Sequence, residues 1–200
     1  MFFADPVVAG PCCIEYENAD QVGDNMIDCS NGRPTSDPKK VCRFSLNRVP
    51  RGACVFRIEY GYEDGTPCIV LKLNRIYGWT PEPLDSLIEQ LSSGSGSGSG
   101  QGNESKVAST DAGVEIECHG ENDVDQENIG YIDYQPYNFL PRYYFPYLGQ
   151  DGYRDPLVFA MFMKPARNVV IMVECVAKAK NLHFQGPDRV ASVKFELLID

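Results

Sequence analysis

The alternation of apolar and polar positions along the chain is mostly of period two. Val114, Ile116 and Cys118 alternate with Glu115 and Glu117, and Val193, Phe195 and Leu197 alternate with Lys194 and Glu196. This is the mark of strands with one wet face. The runs Val41–Leu46, Cys68–Ile76, Val114–Cys118, Leu157–Met163, Val169–Val176 and Ala191–Ile199 are all rich in β-branched and aromatic residues, and each is predicted as a strand. Turn chemistry separates them at Glu63-Asp64-Gly65-Thr66-Pro67, Gln150-Asp151-Gly152 and Gln185-Gly186-Pro187-Asp188. Only Pro83–Leu91 has helical spacing, with Leu84, Leu87, Ile88 and Leu91 at i, i+3, i+4 and i+7 and Asp85 as a candidate cap. Many short strands with one short helix predict an antiparallel β-sandwich.

The tract 92–102, SSGSGSGSGQG, cannot bury surface and reads as a flexible insertion at a loop tip. The rest has the apolar content (43%) and charged content (23%) of a globular protein rather than a disordered one. A net charge of −10, with no Lys/Arg cluster longer than a pair, disfavours nucleic acid, whose phosphates need clustered positive charge. The longest apolar run is Leu157–Met163, where a membrane span needs about twenty residues. The opening MFFADPVVAGPCC has no basic segment before its apolar residues and makes a poor signal peptide. The chain as written is therefore not expected to cross a membrane.

Eight cysteines, at 12, 13, 29, 42, 54, 68, 118 and 175, occur without CxxC or Cys/His zinc spacing and with only two histidines, His119 and His183. The even count favours disulfides and an oxidising, extracellular compartment, but does not choose the pairing. Asn103-Glu104-Ser105 is a sequon that agrees with such a compartment. Asn103 is the glycosylation candidate. Adjacent cysteines rarely bridge each other without strain, so Cys12 and Cys13 keep an unpaired or intermolecular role open beside a vicinal disulfide.

The block Tyr60-Gly61-Tyr62-Glu63-Asp64-Gly65-Thr66-Pro67-Cys68-Ile69-Val70-Leu71-Lys72-Leu73-Asn74-Arg75-Ile76-Tyr77-Gly78-Trp79 resembles the YGY..G.PC...KLNR..G[FW] signature of the β subunits of Na,K-ATPase and H,K-ATPase. Val41-Cys42-Arg43-Phe44, Tyr143-Tyr144-Phe145-Pro146-Tyr147 followed by Gly149, and Phe184-Gln185-Gly186 before a terminal alternating strand fit the same family in order. The matches run from about Cys29 to Asp200. The resemblance implies an immunoglobulin-like, glycosylated ectodomain over 29–200, interrupted at 92–102, with 1–28 as a poorly ordered N-terminal segment. It implies the disulfides Cys29–Cys42, Cys54–Cys68 and Cys118–Cys175. It also implies a place on the extracellular side of the plasma membrane, assembly with the catalytic α subunit of a Na+/K+ pump, help in its delivery, and modulation of K+ affinity. Two features depart from the family. Its cytosolic segment and membrane helix are missing here, as in a truncated chain, an incomplete gene model or an atypical soluble relative. Cys54 is followed by Val55-Phe56 where a small residue and Gly are usual.

The segment Tyr131–Tyr147 holds eight aromatics in seventeen residues, with prolines at 136, 141 and 146 that exclude a regular helix or central strand. Composition leaves two readings open, a lid on the core or a recognition surface. The resemblance favours recognition and carries Tyr143, Tyr144, Phe145, Pro146, Tyr147 and Gly149 as the contact with the α subunit. The eight carboxylates of 111–133, without Lys or Arg, read as a solvated face more readily than as a cation-attracting one. Asp123-Val124-Asp125 lacks the Gly and terminal Glu of an EF-hand. Trp79 reads as a packing residue, and His119 and His183 as surface or packed histidines. No GxSxG, Walker A, HExxH or GxGxxG occurs. The expectation is a non-catalytic subunit with no cofactor, metal, small-molecule substrate or nucleic acid. A pump-independent adhesion module of the same fold is the alternative.

Overall fold

The computed structural model describes residues 2–6, 21, 23–29, 37–44, 54, 60–93, 109–182 and 191–200. Cys12, Cys13, Asn103, His183, Phe184-Gln185-Gly186 and 94–102 lie outside the described residues. The strands are β1 (Phe2–Pro6), β2 (Met26–Ile27), β3 (Val41–Cys42), β4 (Cys68–Leu73), β5 (Val114–Gly120), β6 (Tyr131–Gln135), β7 (Phe139–Leu140), β8 (Val158–Met163), β9 (Ile171–Lys178) and β10 (Ser192–Leu197). Two helices join them, α1 (Asp85–Ser93) and α2 (Asp123–Asn128). The segment 1–28, expected to be poorly ordered, contributes β1 and β2.

Two antiparallel four-stranded sheets form, ordered β1-β4-β8-β6 and β10-β9-β5-β7, with β2 and β3 as a small parallel pair. The all-β, disulfide-bonded sandwich read from the sequence is the fold observed. Inward side chains of both sheets share one core: Ile69, Leu71, Val158, Ala160 and Phe162 from the first, and Val114, Ile116, Ile171, Val173 and Cys175 from the second. Burying each large apolar side chain contributes about 1.5–3 kcal/mol. Tyr134 of β6 ties the sheets together, its hydroxyl accepting from the Cys118 N–H at 2.7 Å.

The predicted alternation holds in β5, where Val114, Ile116 and Cys118 are buried and Glu117 is exposed. It holds in β10, where Val193 and Phe195 pack on the core and Lys194 and Glu196 face water. In α1, Leu87 is buried against Ala112 and Phe139, with Leu84, Ile88 and Leu91 beside it, as the helical spacing requires. The helix extends two residues into the Ser/Gly tract, to Ser93. Asp85 is its first helical residue rather than its cap, and its carboxylate pairs with Lys180 at 2.5 Å.

Five of these elements escaped the sequence reading: β1, β2, β6, β7 and α2. Tyr131–Gln135 forms a strand instead of part of an irregular connection; it is an edge strand, and Pro136 follows it directly. Asn122 starts α2 by accepting from the Val124 and Asp125 N–H groups, both at 3.0 Å, which turns an acidic stretch into a capped helix.

Candidate interaction face

The three disulfides join Cys29 to Cys42, Cys54 to Cys68 and Cys118 to Cys175. Cys54 pairs with Cys68 despite the Val55-Phe56 departure. Cys118 and Cys175 lie directly opposite each other on β5 and β9, with Cα atoms 3.9 Å apart, so this bond staples neighbouring strands of one sheet. The other two build a second apolar layer on the outer face of the first sheet. There Cys29, Cys42, Cys54 and Cys68 pack with Phe44, Tyr60, Val70, Tyr143, Tyr144, Leu157, Phe159 and Met161.

This layer fixes the aromatic segment. After Pro141 the chain makes a 3-10 turn over Arg142–Tyr144, closed by Phe145 N–H to Arg142 C=O at 3.0 Å. The turn drives Tyr143 and Tyr144 inward. Each is 6% exposed, their rings are 4.6 Å apart, and Tyr144 meets Phe44 edge-on at 5.6 Å. Cys42 Sγ lies 3.0 Å from the Tyr143 carbonyl oxygen. Phe145 is partly buried, edge-on to Trp79 at 5.6 Å, which is the packing role expected of Trp79. These two tyrosines therefore do what a core lid does.

The chain turns outward at Tyr147. Its carbonyl accepts from Gly78 N–H at 2.9 Å, joining the end of the Tyr60–Trp79 block to the aromatic segment. The Tyr147 ring is edge-on to Tyr77, 6.5 Å away, and tilted against Tyr153 at 5.0 Å. Tyr77 is 74% exposed, the most open large apolar side chain among the described residues. Gln150 closes the turn beyond, accepting from Leu148 N–H and donating to Pro146 C=O. Gly149 sits at φ +75° with open space where a Cβ would go, so it is the backbone conformation, not crowding, that calls for glycine.

Over the rings lies Arg75, itself exposed, just past the end of β4. Its Nε donates to both carboxylate oxygens of Asp155, at 2.9 and 3.2 Å, and its guanidinium carbon is 5.2 Å from the Tyr147 ring centre and 5.6 Å from that of Tyr153. The Asp155 hydrogen bond leads the causes that raise the arginine pKa above its ordinary value, and burial opposes it. The residues expected as one contact thus divide: Tyr143 and Tyr144 support from inside, Phe145, Pro146 and Tyr147 are half-buried, and Gly149 is exposed. Tyr77, Arg75, Tyr153 and Asp155 join them without having been singled out. Arg75 and Tyr77 stand in the block that carried the resemblance. Asp155, eighty residues from Arg75, gave no local signal.

Other candidates resolve into structure. Glu117 pairs with Lys178 and Glu121 with Lys194, so lysines from β9 and β10 partly neutralise the acidic stretch. His119 faces Glu174 at 3.8 Å on the outer side of the second sheet. Among the described residues there is no group of three or more His, Cys, Asp or Glu that could hold a metal ion, and no helix long and apolar enough to cross a membrane.

Comparison with known proteins adds sequence relatives. The family described as "Sodium / potassium ATPase beta chain" matches residues 14–195. The chain is 35% identical over 182 residues to sodium/potassium-transporting ATPase subunit beta-2 of Drosophila melanogaster, covering 89% of this chain and 55% of that protein. It is 37% identical over 180 residues to subunit beta-1 of the same fly, covering 89% and 56%. To subunit beta-1 of Tetronarce californica it is 30% identical over 191 residues, covering 91% and 56%. The chain spans about half the length of these curated relatives.

Proposed function

Because the chain belongs to the sodium/potassium ATPase β-chain family, we propose that it is the extracellular domain of a non-catalytic β subunit that assembles with the catalytic α subunit of a Na+/K+ pump. In this role it stabilises the partner, aids its delivery to the plasma membrane and modulates its K+ affinity, while ATP hydrolysis and ion movement belong to the partner. The observation that carries the reading is the tyrosine face: Tyr77, Tyr147 and Tyr153 grouped at the end of the first sheet, directly after the Tyr143–Phe145 stretch that packs into the layer of two disulfides. Tyrosine gives a large contact area at low side-chain entropy cost, and a rigid base keeps that cost low on binding. Tyr143 and Tyr144 act as buried supports, Phe145 and Pro146 carry the chain outward, and Gly149 shapes the rim.

The test is co-purification of a co-expressed α subunit with the chain carrying Tyr77→Ala and Tyr147→Ala. Tyr77 is open and Tyr147 only half-buried, with neither in the core, so the double variant keeps its fold by circular dichroism. Truncating central aromatic contacts lowers assembly by about tenfold or more. Undiminished assembly by the folded double variant removes this face from the interface.

A further inference from the structure

We propose that Arg75 is a positioning residue that holds the Tyr147 side chain ready for docking, an inference that rests on reading the tyrosine face as the α-subunit contact. Asp155 is 9% exposed and fixed at the entry to β8, so the carboxylate sets the guanidinium from below. The single Nε–H is shared between its two oxygens, and Nη2 faces the Tyr153 carbonyl at 3.5 Å, so two donors of the planar group are directed. Arg75 lies within cation–π range of the Tyr147 and Tyr153 rings, and those rings are 5.0 Å apart.

On the solvent side, the described ring neighbour of Tyr147 is the open Tyr77, which offers one edge contact. Tyr147 is thus held at its backbone, by its carbonyl to Gly78, and at its ring face, by Arg75, which adds to the ring contacts with Tyr153 and Tyr77. Without Arg75, the ring gains rotamers that a partner must freeze again on binding. Lysine cannot substitute, because a point charge on a flexible stem lacks the flat face and the fixed donors. Asp155 also neutralises the cation, so Arg75 orders the face without making it a strongly positive patch.

The experiment compares the chain with its Arg75→Lys, Tyr147→Ala and combined variants in assembly with a co-expressed α subunit. It also records ring signals of isotope-labelled tyrosines by NMR in the chain alone. Arg75→Lys keeps a cation beside Asp155 and so keeps the fold; it lowers assembly by roughly 3- to 30-fold. The combined variant is no worse than Tyr147→Ala alone, because both act through one ring. In the chain alone, Arg75→Lys moves the Tyr147 ring signals while those of Tyr134, between the sheets, stay in place. Asp155→Asn, which frees the guanidinium, gives the same pattern more weakly and serves where Arg75→Lys lowers the yield of folded protein. Additive losses, unchanged assembly in Arg75→Lys, or unmoved Tyr147 signals overturn the proposal. If the unaltered chain captures no α subunit, the assembly reading falls and takes the docking role with it. The ring signals then decide separately whether Arg75 fixes Tyr147.

Discussion

The two sheets have the same number of strands and opposite surroundings. In the second sheet, β9 is buried at Ile171, Val173, Cys175 and Ala177 and partly open at every residue between, while β5 exposes Glu117. One face meets the core and the other meets water. In the first sheet, β4 is buried at five of its six positions and β8 at five of six. Ile69, Leu71, Val158 and Phe162 face the other sheet, whereas Val70, Phe159 and Met161 lie beneath the disulfide layer. The first sheet is the middle of three layers, and the candidate interaction face grows from its outer cover. The comparison teaches that the two short disulfides and the Tyr143-Tyr144 pair serve one end: they turn what would be a wet face into a second core, which anchors the stretch leading to Tyr147.

The largest effect comes from removing the staples. On the chain-entropy account, loops of 13, 14 and 57 residues contribute roughly 3, 3 and 4 kcal/mol. That sum is comparable with the whole stability of a domain, about 5–15 kcal/mol. Reduction is therefore expected to unfold the chain at ambient temperature, followed by far-ultraviolet circular dichroism across a dithiothreitol titration. Full retention of sheet signal in strong reductant would remove the disulfides from the account of the fold.

A smaller effect tests the asymmetry itself. Phe159 and Met172 both point away from the main core, one under the cover and one on the open face of the second sheet. Phe159→Ala is expected to cost about 3–5 kcal/mol, as in a true core, and Met172→Ala below about 1 kcal/mol. Urea unfolding of the two variants measures both. Similar costs would mean that the layer over the first sheet is a loose cover.

The sequence made the second sheet easy to read and the first only half readable. Val114–Cys118 and Val193–Leu197 show their wet face as alternating charge. The runs CIVLKL and VFAMFM announce burial but not what covers them, because a strand buried on both faces shows no period. The cover comes from Phe44, Tyr60 and the Tyr143-Tyr144 pair, three places far apart along the chain, and from disulfides whose pairing only the family resemblance supplied. The same distance explains the divided site. YYFPY reads as one aromatic unit, yet the 3-10 turn at Arg142–Tyr144 sends its first two rings inward and leaves Tyr147 half-buried. Composition cannot register such a reversal within five residues. The Arg75–Asp155 pair likewise exists only once β4 and β8 are neighbours.

Where the sheets meet, Tyr134 offers the subtlest test, because it belongs to the first sheet and satisfies a backbone donor of the second. Burial is the main cause that pushes its hydroxyl up to about 12, from an ordinary 10.0, with the Cys118 N–H acting in the opposite direction. The raised value means that the folded state holds this proton more tightly than the unfolded chain. The corresponding stability is complete below pH 10 and is lost as pH climbs toward 12. A shift of this size corresponds to at most about 2–3 kcal/mol. Tyr134→Phe leaves the Cys118 N–H without its acceptor, so at pH 8 the variant is less stable by about 1–3 kcal/mol. It also carries no ionisable group at that position. The difference in unfolding free energy between the two proteins should therefore shrink as pH rises from 10 to 12, the other tyrosines cancelling between them. Unfolding in urea at several pH values measures this difference directly, and a difference that stays constant across the range would mean that the Tyr134 hydroxyl is open to water and that the sheets are joined by apolar packing alone.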